Sequence, residues 1–180
     1  MHKAVFLDRD GVINVDHGYI VKPSEFEFID GVIEACKALQ QQGYRLVIVT
    51  NQSGVARGYY NEDDVQQLHV WLHQQFTAHD VEIAGIYYCP HHSEKGLGDY
   101  KLDCDCRKPQ PGMLLRAASE LDIDLQQSIM VGDKESDLQA GINAGVAQCI
   151  LVGDRLKLSR LASARYANLL EWQQAFSKEN

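Results

Sequence analysis

The sequence predicts an α/β fold, a Rossmann-like parallel sheet with helices on both faces, as one domain over residues 1–180. Three observations carry that expectation. Short apolar runs alternate with stretches of helical periodicity along most of the chain, the pattern of parallel strands joined by crossover helices. Successive apolar runs end abruptly in polar residues, which puts those side chains at the carboxyl ends of strands, where open parallel sheets bind ligands. The 45% hydrophobic content of the 180 residues is enough for a sizeable core.

Taken in order, Ala4 to Leu7 is a buried strand whose tip carries Asp8 and Asp10, separated by one residue and followed by Gly11. Aspartate and glycine are ordinary turn residues, so this stretch alone reads equally well as an acidic turn. Val15 to Asp30 has no periodicity and is read as an ordered loop beside that tip. Val32, Ile33, Ala35, Cys36, Ala38 and Leu39 recur at helical spacing, with Gly43 as the stop. Residues 45–49 form a second strand that delivers Thr50. An amphipathic helix over 62–79 follows, N-capped by Asn61, with His69, His73 and His79 on its surface. Ile83 to Tyr88 is a third strand opening into an irregular segment, 89–111, whose length is that of a functional or stapled loop. A helix over 112–121, a strand at Ile129–Val131 ending in Gly132-Asp133, a helix over 136–143 and a strand over 147–152 continue the alternation. Beyond Gly153 only Leu169 to Phe176, which includes Trp172, has helical spacing.

Seventeen basic against twenty-five acidic residues give a net charge of −8, which disfavours non-specific attraction to nucleic acid or anionic membranes. An anionic substrate therefore needs locally concentrated positive charge. No stretch has the layout of a secretion signal or the length to span a bilayer, so a cytoplasmic protein is expected. Of five cysteines, three fall within residues 89–106, a grouping that suits metal ligation better than disulfides, while Cys36 and Cys149 sit in apolar surroundings and read as core. Cys89, His91, Cys104 and Cys106 supply three thiolates and an imidazole, the ligand count of a closed, structural Zn²⁺ site that would hold Arg107 and Lys108 in place. His92 is an alternative to His91.

A parallel sheet gathers the polar strand ends. Asp8 and Asp133, with a main-chain oxygen, offer hard oxygen ligands suited to Mg²⁺. Lys108 then provides a point charge, and Thr50 a neutral donor, for phosphoryl oxygens.

The motifs Asp8-Arg9-Asp10-Gly11, Thr50-Asn51, Lys108-Pro109 and Gly132-Asp133-Lys134-Glu135-Ser136-Asp137, in that order at successive strand ends, resemble those of the haloacid dehalogenase superfamily. The second carboxylate, Asp10, points to its phosphatase branch. The resemblance implies that Asp8 is a nucleophile forming an aspartyl-phosphate and Asp10 is the general acid and then base. It implies that Asp8, the backbone oxygen of Asp10 and Asp133 ligate Mg²⁺, that Thr50 and Lys108 hold the phosphoryl group, and that Asp137 orients the metal's waters. The zinc loop and the run Asp8 to Asn14 look most like heptose-bisphosphate phosphatases of lipopolysaccharide core biosynthesis, in which Asp16, His17, Gly18, Tyr19, Asn51, Gln52, Ser53, Arg107 and Lys134 would form the substrate surface. Absence of a separate cap domain fits that group. Histidinol-phosphate phosphatase domains are the nearest alternative, and a non-catalytic phospholigand-binding module is a third. The implied partner is a small phosphorylated sugar met by a monomer, with neither nucleic acid nor membrane involved.

Overall fold

The structure is a computed structural model that describes residues 1–155 and 159–179. Six strands form one sheet: β1 (Ala4–Leu7), β2 (Arg45–Asn51), β3 (Ile83–Cys89), β4 (Ile129–Gly132), β5 (Gln148–Val152) and β6 (Ala164–Tyr166). Their order is β3-β2-β1-β4-β5-β6, and every ladder is parallel. The chain leaves β1 toward β2 and β3, then returns to β4 on the other side of β1. That reversal makes the β1–β4 boundary the switch point of the sheet, where a crevice opens outside the strand ends.

Alternate side chains of each strand face opposite layers. Val5, Leu7, Leu46, Ile48, Val131 and Ile150 pack against α1 (Val32–Gln41), α2 (Glu62–Thr77) and α5 (Leu169–Glu179), with Phe76 and Trp172 as the large inserts. Ala4, Phe6, Val47, Val49, Met130 and Leu151 face α3 (Gly112–Glu120) and α4 (Glu135–Ala144). Because Phe6 is fully buried beside the catalytic-type carboxylates, Phe6→Ala removes about 3–5 kcal/mol. Cys36 and Cys149 are core residues as expected.

Two details differ from the sequence expectation. The short strand β6 has half-exposed ends and no apolar run to announce it; it forms by pairing with β5. His69, expected on the surface of α2, is buried, because Arg9 from β1's tip lies against it. His73 and His79 are exposed as expected. Asn61 caps α2 through reciprocal bonds: its Oδ1 accepts from Asp64 N at 2.9 Å, and its N donates to Asp64 Oδ2 at 3.0 Å.

Candidate active site

The tip of β1 turns sharply. Arg9 O accepts from Val12 N, Ile13 N and Asn14 N at 3.3, 2.8 and 3.2 Å, and Gly11 sits at φ +91°, a conformation that glycine adopts without strain. A Cβ there would also collide with the Asp133 carboxylate, so the turn lies directly against the end of β4. The Asp8 amide donates to Val131 O at 3.0 Å, tying the two strand ends together.

Carboxylate oxygens of Asp8, Asp133 and Asp137 lie within 4.8 Å of one another, and all three residues are buried. Lys108 is buried among them. Its Nζ is 2.7 Å from Asp8 Oδ1, 2.7 Å from Asp137 Oδ1 and 2.8 Å from Val49 O. Burial opposes the lysine's charge, yet Asp137 and Asp8 outweigh it and hold the Lys108 pKa above its ordinary value. For the acids the balance goes the other way. Burial, then the charge of Asp137, lifts Asp8 to about 7, and burial lifts Asp133 to about 6. The positive charges near the cluster, Lys108 with Lys134 and Arg155, do not offset that burial.

Asp133 Oδ1 is buried with no hydrogen-bond partner. An orphaned carboxylate oxygen in an acidic cluster fits the part of a metal ligand, and the all-oxygen donor set suits a hard cation of the Mg²⁺ kind. Asp137 has little left to offer: Oδ1 meets Lys108, while Oδ2 accepts from the amides of Asp133 and Lys134 at 3.2 and 3.0 Å. It fixes the loop carrying Asp133.

Asp10 stands apart from this cluster. Oδ1 accepts from Arg9 Nε, Arg9 Nη2 and Asn14 Nδ2 at 3.1, 2.9 and 2.9 Å, and Oδ2 accepts from Gln52 Nε2 at 3.2 Å. Gln52 Nε2 also donates to Thr50 Oγ1 at 2.9 Å, and the amide is oriented by Tyr60, whose hydroxyl donates to Gln52 Oε1 at 2.9 Å. Asp10 and Thr50 are therefore held by one frame.

Cys89, His91, Cys104 and Cys106 form a second cluster. Sulfur–sulfur distances run from 3.0 to 3.5 Å, and His91 Nδ1 lies 3.5 and 3.7 Å from two of the sulfurs. Zn–S bonds of about 2.3 Å in a tetrahedron put sulfurs roughly 3.8 Å apart, so these donors fit around one ion after a small expansion. His92 lies outside the cluster, its Nδ1 accepting from the amides of Glu94 and Lys95 at 3.2 and 3.1 Å. Hydrogen bonding from its neighbours pulls the Cys106 thiol down to about 5.

Comparison with known proteins decides the family. A family described as "HAD-hyrolase-like" matches residues 105–157. D-glycero-beta-D-manno-heptose-1,7-bisphosphate 7-phosphatase of Haemophilus influenzae is 59% identical over 84% of this chain and 82% of its own. The chain belongs to the heptose-bisphosphate phosphatase family. A second member, the D-glycero-alpha-D-manno-heptose-1,7-bisphosphate 7-phosphatase of Burkholderia mallei, is 48% identical over 92% of this chain and 87% of its own. The solved D,D-heptose 1.7-bisphosphate phosphatase from B. bronchiseptica, complexed with magnesium and phosphate, superposes with a TM-score of 0.84 at 32% identity, covering 99% of each chain.

For a heptose-bisphosphate phosphatase family member, the substrate surface expected from sequence divides into two parts. Asp16 accepts from Arg155 Nη2 at 2.7 Å and lies 3.8 Å from Lys134 Nζ, so this acid joins the loop after β1 to the segments that follow β5 and β4. Gly18 N donates to Asp16 Oδ1 at 3.1 Å, His17 Nε2 lies 2.6 Å from Glu27 Oε2, and the exposed Tyr19 ring meets Tyr59 edge-on at 4.8 Å. On the other side Asn51 clasps the Lys108 backbone, accepting from its amide at 3.0 Å and donating to its carbonyl at 3.2 Å. Arg107 Nη1 donates to His91 O at 3.3 Å, and Ser53 Oγ accepts from Arg57 Nε at 3.5 Å.

Several side chains that shape this family's site here escaped sequence reasoning. Arg9 and Asn14 sit inside the first motif, where an arginine between two acids is the only signal of the ion pair, and the structure turns both onto Asp10. Tyr60, His69 and Arg155 carry no local signal. Arg155 Nε is 3.5 Å from Asp133 Oδ2, a contact that depends on a segment without periodicity.

Proposed function

We propose that this enzyme removes the C7 phosphate of D-glycero-D-manno-heptose 1,7-bisphosphate, leaving the 1-phosphate, in the biosynthesis of ADP-heptose and lipopolysaccharide core. It does so as a single domain and a monomer in the cytoplasm. The observation that carries the reading is the separation of two carboxylates two residues apart: Asp8 lies in the acidic cluster on Lys108, and Asp10 is turned away onto Arg9, Asn14 and Gln52.

In this reading Asp8 attacks phosphorus in line and the P–O bond to C7 breaks, giving an aspartyl-phosphate and an alkoxide that takes its proton from Asp10. Asp10 then removes a proton from the water that cleaves the acyl phosphate, which restores both acids. Lys108 and Thr50 hold equatorial oxygens, and Lys108 offsets the charge that accumulates beside Asp8. Asp8, Asp133 and the main-chain oxygen of Asp10 would hold Mg²⁺, which when bound neutralises phosphoryl charge. Asp137 keeps Asp133 and Lys108 in place. Cys89, His91, Cys104 and Cys106 would hold a structural Zn²⁺ that fixes the segment leading into Arg107 and Lys108. Asp16, His17, Gly18, Tyr19, Asn51, Gln52, Ser53, Arg107 and Lys134 form the surface that receives or supports the rest of the substrate, with Arg107 available to the distal phosphate.

The test is turnover of both anomers of heptose 1,7-bisphosphate beside histidinol phosphate, with one enzyme preparation. Faster release from either heptose anomer is expected. Faster release from histidinol phosphate would reverse the substrate assignment.

A further inference from the structure

Arg9 carries the charge that orients Asp10, and Arg9 in turn is held by a side chain from outside the sequence motifs. His69, midway along α2, places Nε2 3.2 Å from Arg9 Nη1, with both residues buried. The remaining Arg9 contacts are directed elsewhere: Nε and Nη2 donate to Asp10, and Nη2 also donates to Ile20 O at 2.9 Å.

An arginine has only donors, so Nε2 of His69 must present its lone pair to Nη1, and the ring proton must sit on Nδ1. Burial and the neighbouring guanidinium push the His69 pKa down to about 3, which agrees with a neutral ring. A neutral acceptor has a consequence that other residue types lack. A carboxylate at this position would compete with Asp10 for the guanidinium, and an apolar residue would leave a buried N–H without a partner, free to draw Arg9 off its alignment. An imidazole satisfies Nη1 and leaves the positive charge committed to Asp10. The ring is itself steadied by Tyr88, edge-on at 5.8 Å.

We propose that His69 is a positioning residue for the acid–base step, a neutral acceptor that locks the Arg9 fork so that Nε and Nη2 stay on the Asp10 carboxylate. The inference rests on the assignment of Asp10 as acid and base.

The leaving group provides the readout. An alkoxide such as the sugar C7 oxygen needs a proton as it departs, whereas p-nitrophenolate leaves without one. His69→Met, close in size and lacking a strong acceptor, is expected to lower the single-turnover rate on heptose bisphosphate about tenfold with the half-saturating substrate concentration unchanged, a magnitude equal to one lost hydrogen bond. Its single-turnover release of p-nitrophenolate, which precedes the step in which Asp10 acts as base, is expected to stay within about twofold, and His69→Gln, which keeps an acceptor, to recover most of the loss on the sugar substrate. Equal losses on both substrates, or no loss on either, would overturn the proposal. Should His69→Met fail to fold, His69→Leu is read by the same two criteria. Asp10→Asn in the same assay separates the two claims: without leaving-group selectivity there, the acid assignment fails, and with selectivity there but none in the His69 variants, only the role of His69 fails.

Discussion

Two clusters of ligand-type side chains, drawn from separate stretches of the chain and linked through Lys108, differ in the donors they present. The thiol–imidazole cluster gathers four donors within 3.7 Å contacts, which accounts for every position of a tetrahedral ion. The acidic cluster differs: Asp133 Oδ1 accepts no hydrogen bond, and burial has raised Asp8 to about 7 and Asp133 to about 6. Four protein donors match the ligand count of a structural metal site. Three carboxylates, one with a free oxygen, match a site where a hard cation keeps positions for water or phosphate. Lys108 belongs to both halves of that contrast, since its backbone follows the thiol loop and its Nζ bridges Asp8 and Asp137.

The contrast breaks most visibly at Asp8, the proposed nucleophile. Asp8→Asn keeps the shape and removes the attacking oxygen, so steady-state phosphate release is expected to fall by on the order of 10⁴-fold or more. Retained activity would remove the covalent mechanism whatever the fold. Asp10→Asn comes next, with an expected loss of about 10²–10⁴-fold in the first turnover of the sugar substrate and a much smaller one in the first-turnover release of an aryl leaving group. Kinetics on the two substrates side by side measures the difference.

Opening the thiol–imidazole cluster has a different signature. Cys104→Ser is expected to lose the zinc, about one ion per chain by elemental analysis, and to cost on the order of 4 kcal/mol. At roughly 2–4 °C per kcal/mol the melting midpoint should fall by about 8–16 °C. Unchanged stability after loss of zinc would contradict a structural role. The smallest effect is the one that pH exerts on the acidic cluster. Because Asp8 and Asp133 are raised above their ordinary value of 3.8, each favours the folded state below about pH 4, and that contribution is lost as pH rises through about 6 and 7. Mg²⁺ needs the ionised forms, so its stabilising shift in melting midpoint should be small at pH 5 and grow through pH 7. A Mg²⁺ shift that is independent of pH would argue against these two acids as its ligands.

The fold was readable from sequence where continuous apolar runs meet turn residues, which is why β1 to β5 and all five helices were anticipated to within a few residues. β6 was not, because two half-buried residues flanking the exposed Arg165 gain strand geometry only from β5 beside them. The same division holds in the site. Asp8, Thr50 and Asp133 follow from their places at strand ends and Lys108 from the loop after β3, and the structure brings Asp8, Lys108 and Asp133 together. What holds Asp10 was hidden, since His69 lies 60 residues from Arg9 and reads in a helical pattern as one more polar surface position. Asn51 shows the converse: a motif residue expected to face substrate, its amide clasps the Lys108 backbone. No helix among the described residues is long and apolar enough to cross a membrane.

The central claim, that Asp8 and Asp10 divide nucleophile from acid and base, can be examined by trapping the intermediate. Asp10→Asn given p-nitrophenyl phosphate can form the acyl phosphate, because that leaving group needs no proton, but lacks the base that clears it. Acid quenching followed by peptide mass spectrometry should then find one phosphoryl group on Asp8. A phosphoryl group on any other residue, or none on a variant that still releases p-nitrophenolate, would contradict the division.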